Sequence, residues 1–371
     1  VPILWPLIFG TGHEIAFAHT SFKWANLASY NAGVTVIIVA ISRYPNKVRR
    51  LFSVGEDRTT IVKEVANINA YLVPGADIIV TKAAKPLTEV AEMTFGSKPV
   101  DGGHLLLSWE ELTALGLDST EEGRFIRPMV GSEEFITGRQ RFCIWIRDEE
   151  ANDAQAHPII GPRLDAVRAM RLNSSKAATR AGAEWPYRFD ERRQIGDEKI
   201  IVVPAVSSEN RQYLPCGLLP PGYIISNRNF GVFNAPIWNL GVIASRMHWV
   251  WIDAVCGKLE TRFNYSNTLG WNTFPVPALT EKNKGDLARC AEDILLAREA
   301  YFPATIADLY DPDNMPADLR EVHERNDEVL ERIYIGRRFR NDTERLEKLF
   351  ELYTKMTAGA GAKKKKVGAS A

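Results

Sequence analysis

Three side chains suited to reading base edges recur at alternate positions past the chain's midpoint. They are Glu260, Arg262 and Asn264, in the run Gly257-Lys258-Leu259-Glu260-Thr261-Arg262-Phe263-Asn264-Tyr265-Ser266, which closes on Trp271-Asn272-Thr273-Phe274-Pro275. A carboxylate accepts from the cytosine amine, a guanidinium pairs bidentately with guanine, and a carboxamide does so with adenine. Period two is strand geometry. It places these three on one face and Leu259, Thr261, Phe263 and Tyr265 on the other. The expectation is one rigid strand whose polar face reads a nucleic-acid groove.

Other polar clusters have weaker claims. Ser207, Ser208, Asn210 and Arg211 follow the apolar run Ile200-Ile201-Val202-Val203, where they could donate to phosphates or base edges. A plain polar turn with Arg211 paired to Glu209 is the competing reading. In Phe17-Ala18-His19-Thr20-Ser21-Phe22-Lys23-Trp24, aromatic residues alternate with Lys23 and Ser21. They could line a pocket for an unstacked base or anchor a loop on a sheet. Arg168 and Arg171 ride a predicted helix over 164–172 and are candidates for phosphates. None of the six histidines pairs with another His or Cys at ligand spacing, so no metal is expected. No nucleophile–base arrangement is readable.

Charge supports the same region. The chain of 371 residues is formally neutral, but residues 160–262 hold 14 Lys/Arg, 11 of them Arg, against 9 Asp/Glu. Residues 281–356 hold 13 against 18. An arginine-rich middle suits phosphate and base-edge contacts, although ordinary surface charge gives the same excess. The apolar fraction of 45% and charged fraction of 25% are those of a globular protein. No apolar run approaches the roughly 20 residues needed to cross a bilayer. The four cysteines are sparse and widely spaced, which fits reduced thiols in the cytoplasm.

These residues need elements to hold them. Residues 15–19 and 33–41 read as apolar strands. The second is β-branched and nearly continuous, so a sheet covered on both faces is expected for it. Residues 43–57 read as a polar linker. From about 60 to 275, short strands alternate with turns and a few helices, which predicts a mixed α/β domain. After Pro277, apolar residues keep helical spacing at 287, 291, 294 and 295, at 319, 322, 329, 330 and 333, and at 346, 349, 350 and 353. About three helices are expected there. The Gly/Ala/Lys-rich stretch 357–371 has the composition of a disordered tail.

Several segments in order resemble MmeI-like adenine-specific DNA methyltransferases of type II restriction-modification systems. They include Phe17 to Trp24 with Asn31-Ala32-Gly33, Pro99-Val100-Asp101-Gly102-Gly103, Ser207-Ser208-Glu209-Asn210-Arg211, Ser245-Arg246-Met247-His248, the 257–275 run, and Leu309-Tyr310-Asp311-Pro312. The resemblance implies an α/β chain: edge strands of a Rossmann-like methyltransferase sheet over 1–45, a target recognition domain over 60–277, and a small helical domain over 278–356. It implies double-stranded DNA as partner, and sequence choice at the Glu260, Arg262 and Asn264 face. It also implies S-adenosyl-L-methionine as the parent enzyme's cofactor. The Gly-rich donor loop and the Asn-Pro-Pro-Tyr/Phe motif of such enzymes do not occur in this sequence. Both are expected in an N-terminal catalytic region, on the same polypeptide or a separate chain. The expected role is therefore the DNA-recognition part of an adenine-N6 methyltransferase. The alternative is a non-enzymatic specificity or scaffold subunit serving a separate catalytic chain.

Overall fold

The computed structural model describes residues 1–24, 34–54, 59–208, 210–259 and 262–367. It is a mixed α/β molecule. Its strands in chain order are β1 (Glu14–Trp24), β2 (Val34–Ser42), β3 (Arg49–Val54), β4 (Thr60–Val65), β5 (Thr94–Phe95), β6 (Leu106–Leu107), β7 (Ile126–Val130), β8 (Phe142–Ile144), β9 (Ile200–Pro204), β10 (Val206–Ser207), β11 (Gly217–Leu219), β12 (Ile224–Ile225), β13 (Asn229–Phe233), β14 (Gly257–Leu259) and β15 (Arg262–Asn264). They form four small sheets, ordered β2-β1-β3-β4, β10-β15-β14, β11-β9-β13-β5 and β12-β7-β8-β6.

The first sheet departs from expectation twice. The polar 43–57 stretch contributes strand β3, which runs parallel to β1 and antiparallel to β4, so the sheet extends to Val65. Alternation explains it: Arg49 and Leu51 point inward, and Arg49 is held there by the Ile15 carbonyl and Glu14. The apolar β2 is an edge strand rather than a strand covered on both faces. Ile37 and Ile38, which alternation points to opposite faces, are both exposed, as is Ile41. Behind β1 and β3, Ile15, Ala18 and Leu51 pack with Ile68 and Leu72 in a small core.

Two larger cores hold the rest. One packs the helix Ile160–Leu172 through Ile160, Leu164 and Val167 against Met129, Cys143 and Ile144 of the β12-β7-β8-β6 sheet. The other runs without a break from β9 and β13, through the helices Trp238–Ile243 and Arg246–Val255, into the helices Glu281–Glu299, Ala317–Ile335 and Asp342–Val367. The helical C-terminal part therefore shares its core with the recognition region. Gly241 marks the closest approach. A Cβ there would stand 2.8 Å from the Leu287 carbonyl, so only glycine lets the Trp238–Ile243 helix lie against Glu281–Glu299. The described backbone stays helical to Val367, where composition predicts disorder from 357.

Candidate nucleic-acid interface

The 257–266 segment folds as a hairpin, not as one strand. Strands β14 and β15 pair antiparallel, with Gly257 opposite Asn264, Lys258 opposite Phe263 and Leu259 opposite Arg262. Positions 260 and 261 fall between the two strands. Glu260 lies outside the described residues, and period-two counting does not carry across the connection. It does hold along β15. Phe263 and Tyr265 are buried, while Arg262 and Asn264 are exposed.

Strand β15 is held on both sides. Its second edge pairs with β10, placing Val206 opposite Asn264 and Ser207 opposite Phe263. The Tyr265 amide donates to the Ala205 carbonyl at 2.8 Å. Beneath it, the Phe263 ring meets Trp249 edge-on at 5.1 Å, and Tyr265 meets Phe230 at 5.2 Å. Burying a side chain such as Phe263 is worth roughly 2 kcal/mol.

The floor is uncharged. Tyr265 Oη donates to His248 Nε2 at 3.2 Å, and His248 Nδ1–H donates to the Ile243 carbonyl at 3.0 Å. Burial holds His248 down at about 4 and pushes the Tyr265 hydroxyl well above its ordinary value. A neutral pair therefore fixes the back of the strand while its front carries Arg262 and Asn264.

The 207–211 turn lies against the same strand. Arg211 Nη1 donates to Ser207 Oγ at 3.3 Å, and the Asn210 amide donates to Ser208 Oγ at 3.3 Å. Partial burial lowers the Arg211 guanidinium from its ordinary value, and the Asp311 charge opposes that shift. The alternative partner, Glu209, lies outside the described residues. The β10–β15 ladder thus sets the turn bearing Ser208, Asn210 and Arg211 at the end of β10, with Arg211 on the inward-facing Ser207.

Arg228 joins them without having been singled out in the sequence. Its carbonyl accepts from the Ala205 amide at 3.0 Å and from Ser132 Oγ, and its side chain is exposed. The signal was present. Ser226-Asn227-Arg228-Asn229 is a polar quartet between two apolar strands, the same pattern as 207–211.

Three predicted residues stand elsewhere. Arg168 is half-buried on the helix Ile160–Leu172 in the other core, paired with Asp165 at 3.0 Å. Lys23 belongs to β1 in the first sheet, and its side chain lies outside the description. Arg171 is a correction. It is 1% exposed, and its guanidinium donates to the carbonyls of Val100, Gly182, Trp185, Pro99 and Arg188 at 2.7–3.0 Å. Those five bonds use every donor the group has, so none remains for a phosphate.

Among the described residues, no cluster of three or more His, Cys, Asp or Glu is arranged for a metal. No helix among them is long and apolar enough to cross a membrane.

Comparison with known proteins identifies this architecture. Residues 74–278 match the MmeI target recognition domain, residues 279–360 the MmeI C-terminal domain, and residues 1–53 the MmeI DNA-methyltransferase domain. DNA methyltransferase A of Bacillus subtilis (strain 168) is 38% identical over 357 residues, which are 96% of this chain and 40% of that protein. The type IIL restriction-modification enzyme MmeI, solved in complex with DNA, superposes with a TM-score of 0.81 at 33% identity. That match covers 96% of this chain and 48% of the solved one. The chain thus spans less than half the length of either relative. With its recognition region matched from end to end, the chain belongs to the MmeI family.

Proposed function

We propose that this chain selects and holds the DNA site for an adenine-N6 methyltransferase whose methyl-transfer chemistry is supplied by a catalytic region outside these residues. The observation that carries the reading is β15. It is pinned on both edges, neutral and buried behind, and presents Arg262 and Asn264 outward beside the 207–211 turn and Arg228. Such a surface can place donors and acceptors on base edges at fixed spacing, which sequence choice requires. Arg262 and Asn264 read bases, together with Glu260. Ser208, Asn210, Arg211 and Arg228 bind beside them, and Arg168 and Lys23 serve phosphates farther out. The solved relative was captured with DNA, which fits double-stranded DNA as partner.

S-adenosyl-L-methionine is the donor this family implies, and the residues present do not fit it. Gly10-Thr11-Gly12 follows the helix Trp5–Gly10 and leads into β1, the reverse of a strand–turn–helix donor loop. Asn234-Ala235-Pro236-Ile237 is a turn in which Asn234 Oδ1 accepts from the Lys199 amide at 3.1 Å. The catalytic partner instead has a place to dock. Among the described residues, strand β2 is an edge of its sheet and leaves Ile37, Ile38 and Ile41 exposed, in the part that matches the methyltransferase domain. A long apolar edge of this kind is a template for further strands. A DNA substrate is consistent with a cytoplasmic protein.

The test is binding-site selection with the wild type and Arg262→Ala. The variant should keep its affinity for random duplex and lose preference at one base position. An unchanged preferred site would overturn the assignment.

A further inference from the structure

The helix Arg246–Val255 opens with an arginine, a poor choice at a helix N-terminus, where the backbone dipole already presents positive charge. Its contacts account for it. The Arg246 amide donates to Asp327 Oδ1 at 2.6 Å. Its guanidinium donates to the Asp342 carboxylate at 3.2 and 2.6 Å and to the Gln212 carbonyl at 2.8 Å. The flat face of the same group lies 4.0 Å from the Trp249 ring centre, and Trp249 packs on Phe263 of β15. Gln212 is gripped a second time, because Arg320 of the helix Ala317–Ile335 donates to its Oε1.

We propose that Arg246 is a positioning residue for sequence choice, through which the C-terminal helices set the base-reading edge. One guanidinium touches both walls of that edge. Through Gln212 it fixes the end of the turn carrying Asn210 and Arg211. Through Trp249 it fixes the strand carrying Arg262 and Asn264. Its other side is anchored on Asp342, the first residue of the helix Asp342–Val367. The planar fork matters, since an ammonium cannot face a carboxylate, a carbonyl and an indole at once. Arg246 need not touch DNA. A reading side chain displaced by about an ångström loses bidentate geometry, and discrimination falls before affinity does.

The inference rests on the edge being the DNA reader, so its test includes a measurement that needs no DNA. In the full-length protein that carries this chain, backbone hydrogen exchange and binding-site selection are compared for the wild type, Arg246→Gln, Arg246→Lys, Asp342→Asn and Arg262→Ala. Arg246→Gln should speed exchange about tenfold at 206–212 and 262–265 and leave the helix Glu281–Glu299 protected. Discrimination should fall about tenfold at the positions that respond to Arg262→Ala, with non-specific binding kept. Arg246→Lys should recover less than half of either loss. If Arg246→Gln does not fold, Asp342→Asn should give a smaller change of the same pattern. Unchanged exchange at the two segments, or exchange accelerated evenly along the chain, overturns the proposal. Local loosening together with a site preference untouched by Arg262→Ala leaves the positioning role standing and removes Arg262 as the reader.

Discussion

Two arginine-rich regions lie within the 160–262 stretch, and they use the same side chain in opposite ways. Along 163–192 the guanidiniums are consumed by the protein itself. Arg163 donates to the His104 and Leu106 carbonyls, Arg171 to five carbonyls, Arg180 to the Ser174 and Ser175 carbonyls, and Arg192 to Ile146. Arg188 forks onto Asp148. Along 205–264 the use is mixed: Arg246 is spent on the Gln212 carbonyl and Asp342, while Arg228 and Arg262 are exposed. Arginine is denser in the first, with six in 30 residues against four in 60. What differs is how far the fold encloses the guanidinium: Arg171 is 1% exposed, whereas Arg228 and Arg262 are open to solvent. An arginine count therefore finds the domain but not its surface.

The largest expected effect tests the consumed side. Arg171→Ala takes a donor from five inward-facing carbonyls; Pro99, Gly182 and Trp185 keep backbone amide donors, and Val100 and Arg188 are left unpaired, each at a cost of about 1–3 kcal/mol. Stability should fall by about 2–6 kcal/mol, read as a lowered midpoint in urea. DNA binding should fail only as far as folding fails. Arg171→Lys, with three donors instead of five, should sit between. A stable Arg171→Ala variant that binds DNA weakly would move Arg171 to the other class.

A second effect lies in the support of the reading edge. Asp327 is buried, and burial raises its carboxyl to about 7 from an ordinary 3.8; the Arg246 amide opposes this rise and the neighbouring Glu331 adds to it, while the Arg345 and Arg246 charges also pull it down. A carboxyl whose folded value is raised keeps its proton better in the native state. Its contribution is most favourable below the unfolded value and is lost as pH rises towards about 7. Asp327→Asn cannot lose that proton. Measured by chemical denaturation from pH 4 to 8, wild-type stability relative to the variant should decline until about pH 7 and then level off. A difference that does not change with pH would show that Asp327 is already ionised in the folded protein.

The exposed side is tested by Arg262. Arg262→Ala should lower discrimination at one base position by about 1–3 kcal/mol and leave the urea midpoint unchanged. This is the mirror image of Arg171→Ala, since specificity goes and the fold stays. Equal losses in both would dissolve the distinction between the regions.

Much of this was legible from residue order. The apolar runs near 15, 35 and 200 are strands, the spacing after 277 is helical, and Phe263 and Tyr265 do turn inward. What failed did so for stated reasons. Alternation cannot reveal that 257–264 holds two antiparallel strands, β14 and β15, in place of one. The inward turn of Arg49 hid β3 inside a polar stretch. A helix bearing Arg168 and Arg171 shows two charges on adjacent turns, but only the fold brings Pro99, Gly182 and Arg188 around one of them. Arg228 was passed over because a short polar turn looks like any other until Ala205 is seen against it.

The smallest effect concerns Arg168, which stands between the two classes. It belongs to the helix that buries Arg171, yet it is half-buried rather than enclosed, and its partner Asp165 lies three residues back on the same helix. A pair of that kind contributes only a few tenths of a kcal/mol, so a phosphate can compete for the guanidinium. If it does, Arg168→Ala should weaken binding evenly across sequences and reduce the slope of log affinity against log salt by about one. Stability should move by less than about 0.5 kcal/mol. A salt slope identical to wild type would place Arg168 with Arg171 and leave phosphate binding to Lys23 and to Arg211 and Arg228 beside the reading strand.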